Sequence, residues 1–212
     1  MSKRVGIFGI SGMAREARDI AIEIGLQPIF VVTKNDESVN YAGSEEVISE
    51  SDIGRFKDIP YVIGIGSGKA RRDISMRYAN ELNFCNLIHP SATFGLYQRR
   101  EIEGKRGVII CSGVRFTSNI KVGNFTIFNV NSTISHDSII EDFVTISPQA
   151  CILGNVEVRE GAWIGAGAVI NQGANSMRRI IGAETVVGSG SVILRDCDSN
   201  SIYAGVPARK LR

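Results

Sequence analysis

The stretch that decides the fold runs from 110 to 170: ICSGVRFTSNIKVGNFTIFNVNSTISHDSIIEDFVTISPQACILGNVEVREGAWIGAGAVI. Every sixth residue is large and apolar: Ile110, Phe116, Val122, Phe128, Ile134, Ile140, Ile146, Ile152, Val158, Ile164 and Ile170. Four places after each sits a small or β-branched residue, from Val114, Ile120, Thr126, Ser132 and Ser138 through Val144, Ala150 and Val156 to Ala162, Ala168 and Ala174. A period of six fits neither the 3.6-residue stripe of a helix nor simple strand alternation. It fits short strands separated by tight corners, each burying one aliphatic side chain, with three strands to an 18-residue triangular coil. Coils stacked this way hydrogen-bond into parallel sheets about 4.8 Å apart, with the aliphatic residues in interior ladders. Gly123, Asn129, Gly154, Asn155, Gly161, Gly165 and Gly167 fall in the turns, where residues that tolerate positive φ are expected. The register breaks at Ser176 to Ile180, a loop excursion, and resumes at Ile181, Val187 and Ile193. A sandwich or barrel with evenly spaced strands is the plain alternative, but such folds do not hold a strict sixfold count.

Ahead of the hexads the pattern changes. VGIF, Ala14 to Ile24, PIFVV, YVIGI, Lys69 to Leu82 and FCNLI alternate strand-like and helix-like segments, which predicts a small parallel sheet flanked by helices. His89-Pro90 bars helix continuation there, so the expected domains are 1–90 and 91–212.

Composition narrows the function. With 24 Lys+Arg against 22 Asp+Glu the chain lacks the basic excess of nucleic-acid binders, so no DNA or RNA partner is expected. The opening apolar run stops at Gly9, too short for a signal peptide or membrane span, and a cytoplasmic protein without a membrane partner is expected. Cys85, Cys111, Cys151 and Cys197 are widely spaced with no CxxC pair, and read as reduced thiols.

The hexads VGNFTI, IGAGAV, IGAETV and VGSGSV resemble the left-handed β-helix (hexapeptide-repeat) acyltransferases. The turn GISGMA, the segments IGIGSGKARRDI, NLIHPSA and STISHDSII, and the ending AGVPARKLR resemble one branch of it, the sialic-acid O-acetyltransferases and the N-acetyltransferases of UDP-bacillosamine-type 4-amino sugars. Only Tyr97 to Gly107 is unusual. The resemblance implies the left hand of the coil, which periodicity alone does not give, since parallel crossovers are normally right-handed. It also implies acetyl-coenzyme A as cosubstrate, a homotrimer with the coenzyme between neighbouring prisms, and acetylation of a nucleotide-linked 4-amino-4,6-dideoxy sugar, a UDP-sugar first of all, in surface glycan synthesis.

Acetyl transfer from a thioester needs a base, a donor for the developing oxyanion and a slot for the pantetheine arm. His136 occupies a non-core slot, where composition alone suggests a surface histidine and the motif suggests the base. Gly154 follows it by one coil, so its amide is placed to face the thioester carbonyl; a plain corner glycine is the other reading. Asp137 stands where the resembled enzymes often carry Glu, as an imidazole-orienting carboxylate or a solvated loop acid. Ala166, Gly167 and Ser189 match positions lining the coenzyme, and Arg209 and Lys210 are the residues to meet its phosphates, while Arg178 and Arg179 read as solvated charge.

The turn with Gly9, Ser11 and Gly12 presents a helix N-terminus to an anion, but departs from GxGxxG, with Ser11 and Ala14 at its second and third glycine positions. The resemblance makes the amino-terminal part a Rossmann-like sugar-nucleotide domain, with this turn assisted by Gly64, Gly66 and Ser67. Met13 replaces a frequent His, and Thr33-Lys34 replaces a frequent acidic pair.

Three further readings stand beside N-acetylation. Sugar O-acetylation would use the same machinery on a hydroxyl. A zinc carbonic anhydrase of this fold needs three imidazoles, and the chain has only His89 and His136, so no metal is expected. A non-catalytic β-helix scaffold is the third, since fold does not imply activity.

Overall fold

The protein is described by a computed structural model covering residues 3–32, 41, 43–174 and 177–212. Its amino-terminal part is an open parallel sheet of β1 (Arg4–Phe8), β2 (Gln27–Val32), β3 (Glu46–Ser49), β4 (Pro60–Ile63) and β5 (Asn83–Phe84), in the order β3-β2-β1-β4-β5. Helix α1 (Gly12–Glu23) follows β1, a 3-10 helix (Glu50–Phe56) follows β3, and α2 (Gly68–Arg77) follows β4. β1 reads as a continuous apolar run because both of its faces are covered: Val5, Ile7 and Phe8 are fully buried. α1 turns Ala14, Ala17, Ile20 and Ala21 toward the sheet, a stripe at three- and four-residue spacing whose small side chains allow close approach.

The chain changes architecture between Phe84 and Leu87. Leu87–Ile88 already pairs in parallel with Ile109–Ile110, so the first coil starts ahead of His89-Pro90. From there two-residue strands build three faces. The first face runs through Ile109–Ile110, Ile127–Phe128, Thr145–Ile146, Trp163–Ile164 and Val186–Val187, the second through Arg115–Phe116, Thr133–Ile134, Cys151–Ile152 and Val169–Ile170, and the third through Lys121–Val122, Ile139–Ile140, Val156–Val158 and Arg179–Ile181. Partners are one coil apart, as in Ile127↔Thr145 and Ile134↔Ile152, and the pairs Val158↔Ile181 and Trp163↔Val186 absorb the loop excursion without losing register. The residues at six-residue spacing form the interior, with Phe128, Ile134, Ile146, Ile152, Ile164 and Ile170 all fully buried.

Each corner bends through one left-handed residue, placed three positions after the interior aliphatic. Gly113, Asn119, Phe125, Asn131, Asp137, Phe143, Gln149, Asn155, Gly161 and Gly167 all take this conformation. Of the turn residues marked in the sequence, Asn155, Gly161 and Gly167 occupy this slot, whereas Gly123, Asn129, Gly154 and Gly165 lie outside the left-handed region. Left-handed φ costs a non-glycine residue roughly 1–2 kcal/mol. The coil imposes it through ladder bonds such as Asp137 N–H to Ser118 O (3.1 Å) and Phe143 N–H to Asn124 O (3.0 Å).

The unusual segment after Tyr97 is a plug. Helix α3 (Gln98–Glu103) stands where the first coil would place its third-face strand. The buried Gln98 amide donates to Ile120 O (2.6 Å) and accepts from Ile120 N–H (2.8 Å), imitating the missing backbone, while Ile102 fills the open end of the core.

The amino-terminal sheet and its helices sit astride the first face. Ile109, Ile127 and Thr145 point outward from that face yet are buried, whereas Trp163 and Val186, further along it, are 38% and 40% exposed. On one side, Ile20 of α1 lines a small cleft with Cys111 and Val130, at the edge leading to the second face. On the other, the fully buried Arg71 of α2 donates to Phe125 O (2.7 Å), Phe143 O (2.6 Å) and Val144 O (3.0 Å) of the coil and to Ile65 O (2.9 Å) and Gly66 O (2.6 Å) of its own loop. Burial pushes its guanidinium down to about 9, which leaves it charged at neutral pH.

Candidate active site

The edge where the second face turns into the third carries His136 and, one coil later, Gly154. Asp137 occupies the left-handed corner slot (φ 61°), and this backbone turns its short side chain back along the edge. Its Oδ2 lies 2.8 Å from His136 Nδ1, and its Oδ1 accepts from Asn119 Nδ2 at 2.7 Å. Those two hydrogen bonds, Asn119 first, hold the Asp137 carboxyl below its ordinary value. A carboxylate only accepts, so His136 Nδ1 is the donor, and in the neutral ring this tautomer puts the lone pair on Nε2.

The imidazole lies over the Gly154 backbone. A Cβ added there would stand 2.5 Å from His136 Cε1 and 2.6 Å from Nε2, so the ring occupies the space any side chain would fill. The Gly154 carbonyl accepts from Gly173 N–H (3.1 Å), and the Asn155 N–H donates to His136 O (2.8 Å). Among the described residues the Gly154 N–H has no acceptor. His136, Asp137, Gly154, Gln172, Gly173 and Arg178 line one cleft of about 470 Å³. Its contents suit proton removal from a nucleophile beside a free amide donor.

The remaining sequence-derived residues fall elsewhere. Ala166, Gly167 and Ser189 lie exposed on the edge between the first and second faces, where Gly190 N–H reaches Ala166 O at 2.8 Å, one edge away from His136. Arg209 and Lys210 belong to an antiparallel hairpin, Ile202–Gly205 with Ala208–Lys210, that extends the first face. They line a second cleft of about 430 Å³ with Arg195 and Tyr203, and Lys210 Nζ is bound to Asp198 Oδ2 at 2.8 Å. The loop arginines divide: Arg178 faces the His136 cleft, while Arg179 sits in the third face and pairs with Asp196 at 3.2 Å.

At the other pole, Gly9 (φ 99°) and Gly64 meet at the carboxyl ends of the neighbouring strands β1 and β4. Strand order reverses there, the place where open parallel sheets take ligands. Ser11 caps α1 without a side-chain hydrogen bond, Gly12 starts the helix, and Met13 packs half-buried against the core. Ser67 caps α2 by accepting from Ala70 N–H (3.3 Å), and the Gly66 carbonyl is occupied by Arg71 and by Thr145 Oγ1 (2.8 Å). Thr33 and Lys34 lie outside the described residues. Among the described residues no three His, Cys, Asp or Glu side chains gather to hold a metal, and no helix is long and apolar enough to cross a membrane.

Asn119 and Gln172 escaped the motif reading, and Arg178 was read there as solvated charge. Coil arithmetic points to the first, since Asn119 precedes Asp137 by one 18-residue coil; the other two depend on how the loop after Ile170 folds back.

No family profile matches the chain. It is 29% identical over 98% of its length to GDP-perosamine N-acetyltransferase of Escherichia coli O157:H7, of which 96% is covered. The structure superposes on WeeI from Acinetobacter baumannii AYE with a TM-score of 0.85 at 26% identity, covering 98% of this chain and 99% of that one. In sequence and in fold the chain is similar to the hexapeptide-repeat sugar N-acetyltransferases. Another solved structure, PerB from Caulobacter crescentus in complex with CoA and GDP-perosamine, matches the hexapeptide-repeat fold with a TM-score of 0.84 at 24% identity, covering 98% and 97% of the two chains. These matches supply the left hand of the coil that periodicity could not.

Proposed function

We propose that this hexapeptide-repeat enzyme moves an acetyl group from acetyl-coenzyme A to the amine of a nucleoside-diphosphate-linked 4-amino-4,6-dideoxy sugar. The carrying observation is the His136 ring lying over Gly154 while Asp137 holds its Nδ1. Nε2 takes a proton from the amine as nitrogen attacks the thioester carbon, the Gly154 N–H donates to the carbonyl oxygen, and the C–S bond breaks. The proton then passes to the departing thiolate, giving free coenzyme A and an amide. The switch point at Gly9 and Gly64, in a Rossmann-like amino-terminal domain, is the proposed seat of the nucleotide, with Ser11, Gly12 and Met13 around it. The relative named GDP-perosamine N-acetyltransferase weighs toward a GDP-sugar over the UDP-sugar read from the sequence.

The edge bearing His136 is the one opposite the face that the amino-terminal domain covers. A hexad side spans at most about 20 Å, so the two are separated by on the order of 15 Å through a filled core. A sugar held in the switch point therefore reaches His136 of another copy, not its own. A homotrimer closes that arrangement around a threefold axis. It would also bring the Ala166, Gly167 and Ser189 edge of one prism beside the His136 edge of the next, forming the coenzyme slot.

Purified protein mixed with acetyl-coenzyme A and GDP- or UDP-linked 4-amino sugars should release free thiol, and His136→Ala should lower the rate at least ~10²-fold. An unchanged rate in that variant overturns the mechanism. Turnover of a sugar hydroxyl in place of the amine would move the assignment to O-acetylation.

A further inference from the structure

We propose that Asn119 is a positioning residue for this reaction, acting through Asp137 to hold the His136 imidazole in register with Gly154. The inference rests on the acetyl-transfer assignment made above and adds a residue to it. Asn119 and Asp137 stand at the same corner slot on successive coils, both left-handed, with φ 56° and 61°. Their side chains therefore leave the backbone in the same direction, one above the other. Asn119 Nδ2 donates to Asp137 Oδ1 (2.7 Å) while Asp137 Oδ2 meets His136 Nδ1 (2.8 Å), so the carboxylate is gripped by both oxygens.

That grip has a reason. The Asp137 side chain is 48% exposed, so water competes for it and other rotamers are open. A second donor on the far oxygen restricts the carboxylate to the one orientation that meets Nδ1. The next residue of the column shows that the slot alone does not dictate this use. Asn155 is also left-handed, yet its amide donates to Ala174 O (2.9 Å) and Met177 O (3.3 Å) and anchors the loop. Asn119 thus serves the imidazole, and Asn155 serves the loop that closes the cleft. The hydrogen bond from Asn119 is also the foremost cause of the lowered Asp137 pKa, with His136 next and Arg178 contributing across the cleft.

The decisive variant is Asn119→Gly, which removes the amide while keeping left-handed φ free of cost. The kcat for acetyl transfer should fall roughly tenfold, with KM for both substrates within about twofold of the parent. Asn119→Asp, which keeps the shape but replaces the donor by a like charge, should lose at least as much. In an Asp137→Ala background, Asn119→Gly should have no further effect, because the residue acts only through the carboxylate. Full kcat in Asn119→Gly, or an equal loss in the Asp137→Ala background, overturns the proposal. If His136→Ala itself keeps the parental rate, the acetyl-transfer assignment falls and this proposal with it. If His136→Ala is inactive while Asn119→Gly is not, only the role of Asn119 falls.

Discussion

The prism and the amino-terminal sheet are held by different kinds of contact. In the prism, spatial neighbours are one coil apart by construction, and the same interior slot, corner conformation and ladder bonds recur with each turn. The sheet of β1 to β5 has its own core, but where it sits on the prism is decided by contacts no period announces, above all by the buried Arg71 and its five carbonyl acceptors. The prism is therefore redundant, since losing one corner leaves its neighbours in place. The junction gathers its charge-assisted attachments on one helix, where Arg71 is joined by Arg72, which pairs with Glu160 (2.9 Å) and Glu184 (2.8 Å) of the prism.

This contrast can be broken from either side. The largest effect expected is in the prism interior: Ile146→Ala, at a fully buried slot stacked between Phe128 and Ile164, should cost about 4 kcal/mol in urea unfolding, with a steep single transition. A loss below about 1 kcal/mol would mean the rungs relax around the cavity. Next, Arg71→Met should cost about 3 kcal/mol, because five carbonyls lose a charged donor. Trp163, the one tryptophan of the chain, flanks Gly66 at this junction, so its emission should change at lower urea than the far-ultraviolet circular dichroism. Coincident transitions would show that sheet and prism unfold as one unit.

Smaller effects test the corners. Gly154→Ala should lower kcat about tenfold by displacing the imidazole, with circular dichroism unchanged, and an active variant would argue that the ring moves aside freely. The smallest effect is Gln149→Gly on the exposed left-handed corner at φ 59°, which should raise stability by up to about 1 kcal/mol in the same urea titration. No gain there would mean the unfolded-chain entropy of glycine offsets the relieved strain.

The hexads made the coil legible because a strict period converts sequence distance into spatial distance. The same arithmetic placed His136 and Gly154 together, and applied once more it reaches Asn119. It did not reveal which residue of each hexad turns left-handed, since Phe125, Phe143 and Gln149 stand in that slot against their own preference. Nor did it show that α3 replaces a strand, because Gln98 imitates a backbone with its side-chain amide, a substitution invisible to hydrophobic pattern. Arg178 was read as solvated charge, and only the course of the loop brings it to the cleft.

By itself the sequence determined the rung, the period and the pairing of residues one coil apart, since each follows from local burial repeated at fixed spacing. The tertiary structure alone decided which face of the prism the amino-terminal sheet covers, and therefore that the glycine turn at Gly9 and the imidazole stand on opposite sides of one molecule. That choice depends on contacts such as Arg71 with Phe125 and Phe143, far apart in the chain and specified by shape and charge where no periodicity exists.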